Sequence, residues 1–145
     1  MRRIKLVDIL LVEDNIGDVR LTQEALKGSK IINKIHVAKD GMEASDFLFK
    51  RKDYKNNEII PGLIILDLNL PKKSGLELLS EIKGDEYLKK IPVVVLTSSE
   101  AEEDVLKSYK LHASCYINKP MDFEKYEKIV SSIENFWLSV VTLPI

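Results

Sequence analysis

The sequence predicts an α/β protein whose five-stranded parallel sheet is covered by helices on both faces. Short apolar stretches alternate with longer stretches in which apolar residues recur every three or four positions, the pattern of strands followed by amphipathic helices. The stretches 63–66 and 92–96 are apolar throughout, as expected of parallel strands buried on both faces. Because parallel strands require right-handed crossover connections, five such strand–helix pairs predict a doubly wound sheet.

The first two strand–helix pairs occupy the first third of the chain. The apolar run 7–12 predicts the first strand, and apolar residues at helical spacing after Gly17 predict the helix that follows and ends at Gly28. Alternation of apolar and polar residues over 34–38 predicts the second strand. A turn at Asp40 then leads into the second helix.

The next two pairs follow the charged stretch 51–58, which predicts a surface loop. The apolar runs 63–66 and 92–96 are the third and fourth predicted strands, and the helices after them are predicted to begin near Ser74 and Ser99. Acidic residues crowd the first turn of the fourth helix, where the helix dipole favours negative charge.

The last pair is a strand at 115–117 and a helix with an apolar stripe that we predict to be core. The stripe consists of Phe123, Tyr126, Val130, Ile133 and Trp137. The 25 residues after Pro120 leave room for this helix and a short apolar tail. We therefore expect one domain over residues 1–145, with a core from about 6 to 138, a tail at 139–145 and no output domain.

Composition limits the classes of function. The chain is 45% hydrophobic and 31% charged, as in a globular protein, and its formal net charge is -1, so a basic surface for nucleic acid or for an anionic membrane is not expected. The one cysteine, Cys115, cannot form an internal disulfide. No apolar stretch approaches the roughly 20 residues that cross a bilayer. We therefore expect a cytoplasmic protein with neither nucleic-acid nor membrane partners.

Polar side chains stand at the ends of four predicted strands. They are Glu13 and Asp14 after the first strand, Asp67 after the third, Thr97 after the fourth and Lys119 after the fifth. In an open parallel sheet, ligands bind beyond the carboxyl ends of the strands. The three carboxylates, the hydroxyl and the ammonium group are therefore predicted to converge on one edge of the sheet.

Clustered carboxylates need a cation. At about 4 Å and an effective dielectric constant of about 20, each close pair of carboxylates costs about 4 kcal/mol. Oxygen ligands of this kind favour Mg²⁺ or Mn²⁺ over Zn²⁺. A metal-bound carboxylate that faces Lys119 and a hydroxyl group suits phosphoryl transfer, in which the cations neutralise the phosphate and the carboxylate attacks it.

Four segments carry a family resemblance. They are ILLVEDN at 9–15, ILDLNLP at 65–71, VLTS at 95–98 and YINKP at 116–120. These segments resemble the signatures of response-regulator receiver domains, which implies a flavodoxin-like fold with strand order 2-1-3-4-5 and a role in two-component signalling. The extended loop before Leu63, the turn at 72–75 and the ending at 136–138 resemble single-domain regulators that serve phytochrome-type histidine kinases.

The resemblance implies a phosphoacceptor and a set of metal ligands. Asp67 is expected to take a phosphoryl group from a kinase phosphohistidine and form an acyl phosphate. Asp14 is expected to bind Mg²⁺ directly and Glu13 largely through water, with the backbone carbonyl of Asn69 as a further ligand. Glu13 departs from the aspartate that is common in the family, and its longer side chain is expected to alter the geometry at the metal.

The resemblance also implies a switch. Lys119 is expected to pair with Asp67 and then with the phosphate, presented by a cis bond to Pro120, while Thr97 turns its hydroxyl to a phosphate oxygen. Tyr116 is expected to move inward with Thr97 and so to change a surface on the fourth helix and fifth strand. Together with the apolar tail, the phytochrome-type resemblance favours a homodimer through that surface and the fifth helix.

Two other functions are compatible with an acidic strand edge. A phosphatase with an aspartate nucleophile usually carries a second acid two residues later to protonate the leaving group, but here that position is Asn69. A degenerate receiver that only binds partners would lack some of the five polar residues, and all are present. We therefore expect a phospho-accepting protein that does not turn over an external substrate.

Overall fold

The computed structural model describes residues 7–27 and 33–134 of the 145-residue chain. The strands are β1 (Val7–Val12), β2 (Asn33–Ala38), β3 (Leu63–Leu66), β4 (Val93–Thr97) and β5 (Cys115–Asn118). The α-helices are α1 (Ile16–Lys27), α2 (Gly41–Phe49), α3 (Gly75–Gly84), α4 (Glu102–Lys110) and α5 (Phe123–Glu134). Two short 3-10 helices, Lys52–Tyr54 and Leu88–Lys90, interrupt the loops before β3 and β4. The predicted alternation of strands and helices is confirmed.

The strands form one parallel sheet in the order β2-β1-β3-β4-β5, as the family resemblance implied. In the register of the sheet, Val12 pairs with Ala38 on one side and with Leu66 on the other. The backbone N–H of Asp67 donates to the carbonyl of Val12 at 3.0 Å. Strands β1 and β3 therefore end side by side, which brings the residues that follow them to the same edge.

Each face of the sheet has its own apolar core, because successive strand residues point to opposite faces. On one face, strand residues such as Leu10, Ile64 and Val95 pack with α2 and α3. On the other face, Ile9, Ile65 and Val94 pack with the apolar sides of α1 and α5. The doubly wound arrangement follows from these two layers.

Two helices begin where capping side chains place them. Asp40 accepts a hydrogen bond of 2.7 Å from the backbone N–H of Glu43 at the start of α2, and Ser74 accepts one of 3.2 Å from Glu77 at the start of α3. A Cβ atom on Gly75 would lie 2.5 Å from the backbone carbonyl oxygen of Asp67. The start of α3 is thus pressed against the backbone that carries Asp67, and only glycine leaves room for it.

Helix α4 begins three residues later than the sequence predicted, at Glu102 instead of Ser99. The hydroxyl of Ser99 donates to Oδ2 of Asp104 at 2.6 Å, and its carbonyl accepts hydrogen bonds from the side chains of Tyr116 and Asn118. These contacts hold Ser99 in the loop between β4 and α4.

Other expectations need correction or lie outside the described residues. Phe123, the first residue of α5, is predicted to be core but is 59% exposed, because the apolar cluster on this face includes α5 residues only from Tyr126 onward, whereas Tyr126, Val130 and Ile133 are buried as predicted. The peptide bond between Lys119 and Pro120 is trans, not cis.

The helix end at Gly28, Trp137 and the tail 139–145 lie outside the described residues. Within residues 7–27 and 33–134, no helix has the length and apolar character needed to cross a membrane.

Candidate functional site

The five polar residues predicted at the strand ends meet at one edge of the sheet. The loops after β1 and β3 bring Glu13, Asp14 and Asp67 together, Thr97 is the last residue of β4, and Lys119 follows β5. Glu13, Asp67 and Thr97 are buried, whereas Asp14 is exposed. An open cavity of about 380 Å³ lies over this edge. Its lining includes Glu13, Asp14, Asp18, Asp67, Asn69, Lys119 and Tyr126.

The ammonium group of Lys119 joins three carboxylates. Lys119 Nζ donates to Oδ2 of Asp67 at 2.8 Å, to Oδ2 of Asp18 at 2.9 Å and to Oε1 of Glu13. The family resemblance implied the pairing of Lys119 with Asp67, whereas the contact with Asp18 was not expected from the sequence. The sequence does mark Asp18 as the acidic residue in the first turn of α1, the helix that follows β1.

Asp67 is held by hydrogen bonds to both carboxylate oxygens. The hydroxyl of Thr97 donates to Oδ1 at 2.7 Å, and the backbone N–H of Asn69 donates to the same oxygen at 3.1 Å. Lys119 donates to the other oxygen, Oδ2. Donors on two strand-end loops and on β4 therefore fix the plane of the carboxylate at the floor of the cavity.

The surroundings of these groups set their protonation. Burial acts to raise the pKa of Asp67, but hydrogen bonds from Lys119 and Thr97 outweigh it and hold that pKa below its ordinary value. Burial raises the pKa of Glu13 to about 7, and the hydrogen bond from Lys119 only partly opposes this effect. Burial acts to lower the pKa of Lys119, but its three carboxylate partners raise it above the usual range. At neutral pH the site thus holds an ionised Asp67 beside a charged Lys119.

The carboxylates fit a divalent cation. Glu13, Asp14 and Asp67 each offer an oxygen, and these oxygens lie within 4.8 Å of one another. All are hard donors of the kind that Mg²⁺ and Mn²⁺ prefer. Lys119 is the one cation among the described residues that contacts this group, and it is shared with Asp18. A further positive charge is therefore favourable here.

A second feature connects the site to the outer surface through Ser99. The Ser99 N–H lies 3.4 Å from the hydroxyl oxygen of Thr97, and its carbonyl accepts a hydrogen bond of 2.9 Å from the Tyr116 hydroxyl. Tyr116 is partly buried and packs against the core on one face of the sheet. Thr97 and Tyr116, both singled out from the sequence, thus contact the same loop residue.

A doubly wound parallel sheet with acidic residues at its strand ends, a buried hydroxyl group and a shared lysine is typical of one class of protein. The chain belongs to the response regulator receiver domain family, which it matches over residues 9–131, and is a receiver domain of two-component signalling. Among individual proteins, it is 52% identical to response regulator Rcp1 of Synechocystis sp. over 136 residues, which cover 94% of this chain and 92% of that protein.

Solved structures agree with this assignment. The crystal structure of the Mn²⁺-bound form of response regulator Rcp1 aligns with a TM-score of 0.93 and 50% identity, covering 96% of this chain and 99% of that one. That of the phosphorylated cyanobacterial phytochrome response regulator RcpA aligns with a TM-score of 0.94 and 50% identity, covering 97% and 100%. The sequence-based recognition of the family and its fold is confirmed.

Proposed function

We propose that Asp67 is the phosphoacceptor of this receiver domain and that it takes its phosphoryl group from a histidine kinase. The observation that carries the proposal is the state of Asp67, a buried carboxylate that stays ionised at neutral pH and lines an open cavity. An ionised carboxylate is the nucleophilic form, and the cavity admits the side chain that donates the phosphoryl group.

The transfer breaks one bond and forms another. A carboxylate oxygen of Asp67 attacks the phosphorus of a phosphohistidine, an O–P bond forms, and the N–P bond to the imidazole breaks. The electron pair of that bond returns to the imidazole nitrogen, and because the other ring nitrogen carries a proton, the histidine leaves as neutral imidazole while Asp67 becomes an acyl phosphate. We propose that no external substrate is turned over, because the phosphoryl group is carried on Asp67 of the protein itself.

Four groups would hold Mg²⁺ or Mn²⁺ at this site. They are the carboxylates of Glu13, Asp14 and Asp67 and the backbone carbonyl of Asn69. Such an ion, when bound, neutralises negative charge on the phosphoryl oxygens. The oxygens of the three carboxylates, within 4.8 Å of one another, support this assignment, as does the Mn²⁺-bound form of the relative Rcp1. Asn69 lines the same cavity. Glu13 also forms an ion pair with Lys119, so Lys119 and the metal ion would compete for the Glu13 carboxylate.

Lys119 and Thr97 are proposed to bind the phosphoryl oxygens after transfer. Both now donate to Asp67, from opposite sides of its carboxylate. Phosphorylation adds negative charge and acceptor oxygens at this position, so a phosphoryl oxygen is a stronger partner for each donor than a carboxylate oxygen. The expected result is a shift in the position of Thr97 and of the loop that follows it.

Tyr116 is proposed to convert that shift into a surface change. Because Thr97 and Tyr116 both contact Ser99, movement of the loop alters the hydrogen bond that holds the tyrosine hydroxyl. Helix α4, which packs against β5, carries the exposed apolar side chains of Leu106 and Tyr109, and the Tyr109 hydroxyl accepts a hydrogen bond of 3.1 Å from the Tyr116 N–H. We propose a homodimer through α4, β5 and α5, where these side chains would be covered.

The kinase partner is proposed to be of the phytochrome type, acting in the cytoplasm. The support is the 52% identity to Rcp1 and the similarity to RcpA, which is described as a cyanobacterial phytochrome response regulator. The test is a phosphotransfer profile, in which purified histidine kinases are autophosphorylated and mixed briefly with this chain. Fastest transfer from a phytochrome-type kinase supports the proposal, and preference for an unrelated kinase contradicts it.

The phosphoacceptor is tested with a small phosphodonor. Intact-mass measurement after incubation with acetyl phosphate and Mg²⁺ is expected to show one added phosphoryl group, and Asp67→Asn is expected to prevent it. The matched control is Asp46→Asn, which changes another buried aspartate on α2 that does not line this cavity. Labelling that survives Asp67→Asn would place the phosphoacceptor elsewhere.

A further inference from the structure

The donors of Lys119 are fully committed in this structure. An ammonium group has three N–H bonds, and Lys119 directs them at carboxylate oxygens of Glu13, Asp18 and Asp67. A phosphoryl group on Asp67 therefore finds no free donor on Lys119. One of the existing hydrogen bonds must break before Lys119 can bind a phosphoryl oxygen.

Burial indicates which bond is exchanged. The side chains of Glu13 and Asp67 are only 3% and 6% exposed, whereas that of Asp18 is 25% exposed. Loss of this donor would leave Glu13 as a buried carboxylate without its cation, and would leave the carbonyl oxygen that Asp67 keeps as an acyl phosphate without a partner from solvent, and both are costly. Water can replace Lys119 at Asp18. Asp18 is therefore the carboxylate that releases the lysine at the lowest cost.

The backbone of Asp18 is fixed, so its carboxylate cannot simply follow the lysine. Its N–H donates to Oδ1 of Asn15 at 3.0 Å, and its carbonyl accepts from the hydroxyl of Thr22 at 2.8 Å. The Thr22 hydroxyl is in turn hydrogen-bonded to the buried hydroxyl of Tyr126 on α5, at 3.2 Å. The start of α1 is thereby tied to α5, and a lysine that turns toward the phosphate must leave Asp18 behind.

We propose that Asp18 is a positioning residue that holds Lys119 in the unphosphorylated site and competes with the phosphoryl group for it. Because this inference rests on the proposed phosphorylation of Asp67, it concerns the balance between the two states of the site. The ion pair between Asp18 and Lys119 favours the unphosphorylated state alone. The charge of Asp18, on the cavity wall, also repels an incoming phosphate. Both effects make phosphorylation less favourable.

The experiment measures binding of fluoroberyllate, a phosphoryl mimic, at saturating Mg²⁺ by ¹⁹F NMR. Asp18→Asn keeps the shape of the side chain and removes its charge, and is expected to bind the mimic about three- to tenfold more tightly than the unmodified chain, the range for a partly exposed charged hydrogen bond. Asp18→Ala is expected to shift affinity in the same direction. Asp18→Glu restores the charge and is expected to reverse most of the gain.

The matched control is Glu24→Gln, which removes one negative charge from the same helix at a surface position paired only weakly with Lys27. It is expected to leave mimic affinity unchanged. Equal or weaker binding by Asp18→Asn, or an equal gain in Glu24→Gln, would overturn the role of Asp18. If the unmodified chain binds no mimic and acetyl phosphate does not label Asp67, both the proposed function and this inference fail. If the unmodified chain binds the mimic but Asp18→Asn shows no gain in affinity, only this inference is refuted.

Discussion

Lys119 Nζ donates a hydrogen bond of 2.8 Å to Oδ2 of Asp67, although the two residues are 52 positions apart. Both side chains are nearly buried, at 9% and 6% exposure. Lys119 supplies positive charge to Asp67 and also to Glu13, so two buried carboxylates depend on it. This pairing offsets the repulsion between the two buried carboxylates.

Removal of the lysine charge is expected to destabilise the metal-free protein. Lys119→Met leaves Glu13 and Asp67 buried without their cation, and the expected loss is about 3 kcal/mol. Urea denaturation in EDTA measures it, and added Mg²⁺ is expected to restore part of the loss. The control is Lys125→Met, an exposed position on α5, where a change within about 0.5 kcal/mol is expected. A Lys119→Met protein as stable as the unmodified chain in EDTA would contradict this account.

Stability of the metal-free protein is expected to fall as pH rises toward 7. The pKa of Glu13 is raised from its ordinary 4.5 to about 7 by burial, so in this interval the folded protein retains a proton that the unfolded chain has lost. The contribution of Glu13 is therefore fully present below pH 4.5 and is lost as pH rises through about 7. Its full size is about 3 kcal/mol.

The measurement compares urea denaturation in EDTA at several pH values for the unmodified chain and for Glu13→Gln. The glutamine variant is expected to show a smaller fall, and the difference between the two isolates Glu13 from other titrating groups. Asp67 acts in the opposite direction, but its lowered pKa confines that effect to pH values below its ordinary 3.8. Parallel pH profiles for the two proteins would show that Glu13 is not the titrating group.

The hydrogen bond from Thr97 to Asp67 is expected to contribute to both stability and acidity. Thr97→Val keeps the branched shape but removes the donor, which leaves Oδ1 of Asp67 with only the Asn69 N–H. The expected loss of stability is about 1–2 kcal/mol, with a rise in the pKa of Asp67. Urea denaturation and a ¹³C NMR titration of the carboxyl carbon measure the two effects. Thr97→Ser retains the hydroxyl and is expected to keep the low pKa.

Substitution of Gly75 is expected to destabilise the protein because this residue lies close to the backbone of Asp67 and Leu68. In Gly75→Ala, the new Cβ would meet the Asp67 carbonyl oxygen and the Leu68 Cα at 2.5 Å, and backbone atoms cannot move aside cheaply. The expected destabilisation is about 1–3 kcal/mol, with weaker Mg²⁺ binding because Asp67 is displaced. Gly84→Ala at the end of the same helix has no atom within 4 Å and is expected to be neutral or slightly stabilising. Equal effects of the two substitutions would contradict the packing argument.

The proposed homodimer is tested by mass in solution. Multi-angle light scattering is expected to give twice the chain mass, and Leu106→Lys is expected to shift it to the monomer because a charge replaces an exposed apolar side chain of α4. Tyr87→Lys changes an even more exposed side chain outside this surface and is expected to remain dimeric. Truncation after Leu138 tests the tail in the same way, and a truncated chain that remains dimeric would exclude a role for the tail.

The strand-end residues could be predicted from the sequence because each stands within two residues of the end of an apolar run, and strand periodicity is a local property. The starts of α2 at Asp40 and of α3 near Ser74 are local as well, because each capping side chain bonds only to the residue three positions later. The start of α4 could not be predicted in this way, because Ser99 is held in the loop by partners on β5. The exposure of Phe123 could not be predicted either, because helical spacing does not reveal where along α5 the core begins.

The sequence by itself determined the order of strands and helices, the doubly wound parallel sheet and the polar groups that reach its edge. Only the tertiary structure decided how those groups share their hydrogen bonds. Asp18 and Lys119 lie 101 residues apart, and their contact exists because α1 packs beside α5 on the same face of the sheet. Periodic burial is encoded within a few neighbouring residues, whereas the partners of a buried charge depend on distances between elements that no local pattern contains.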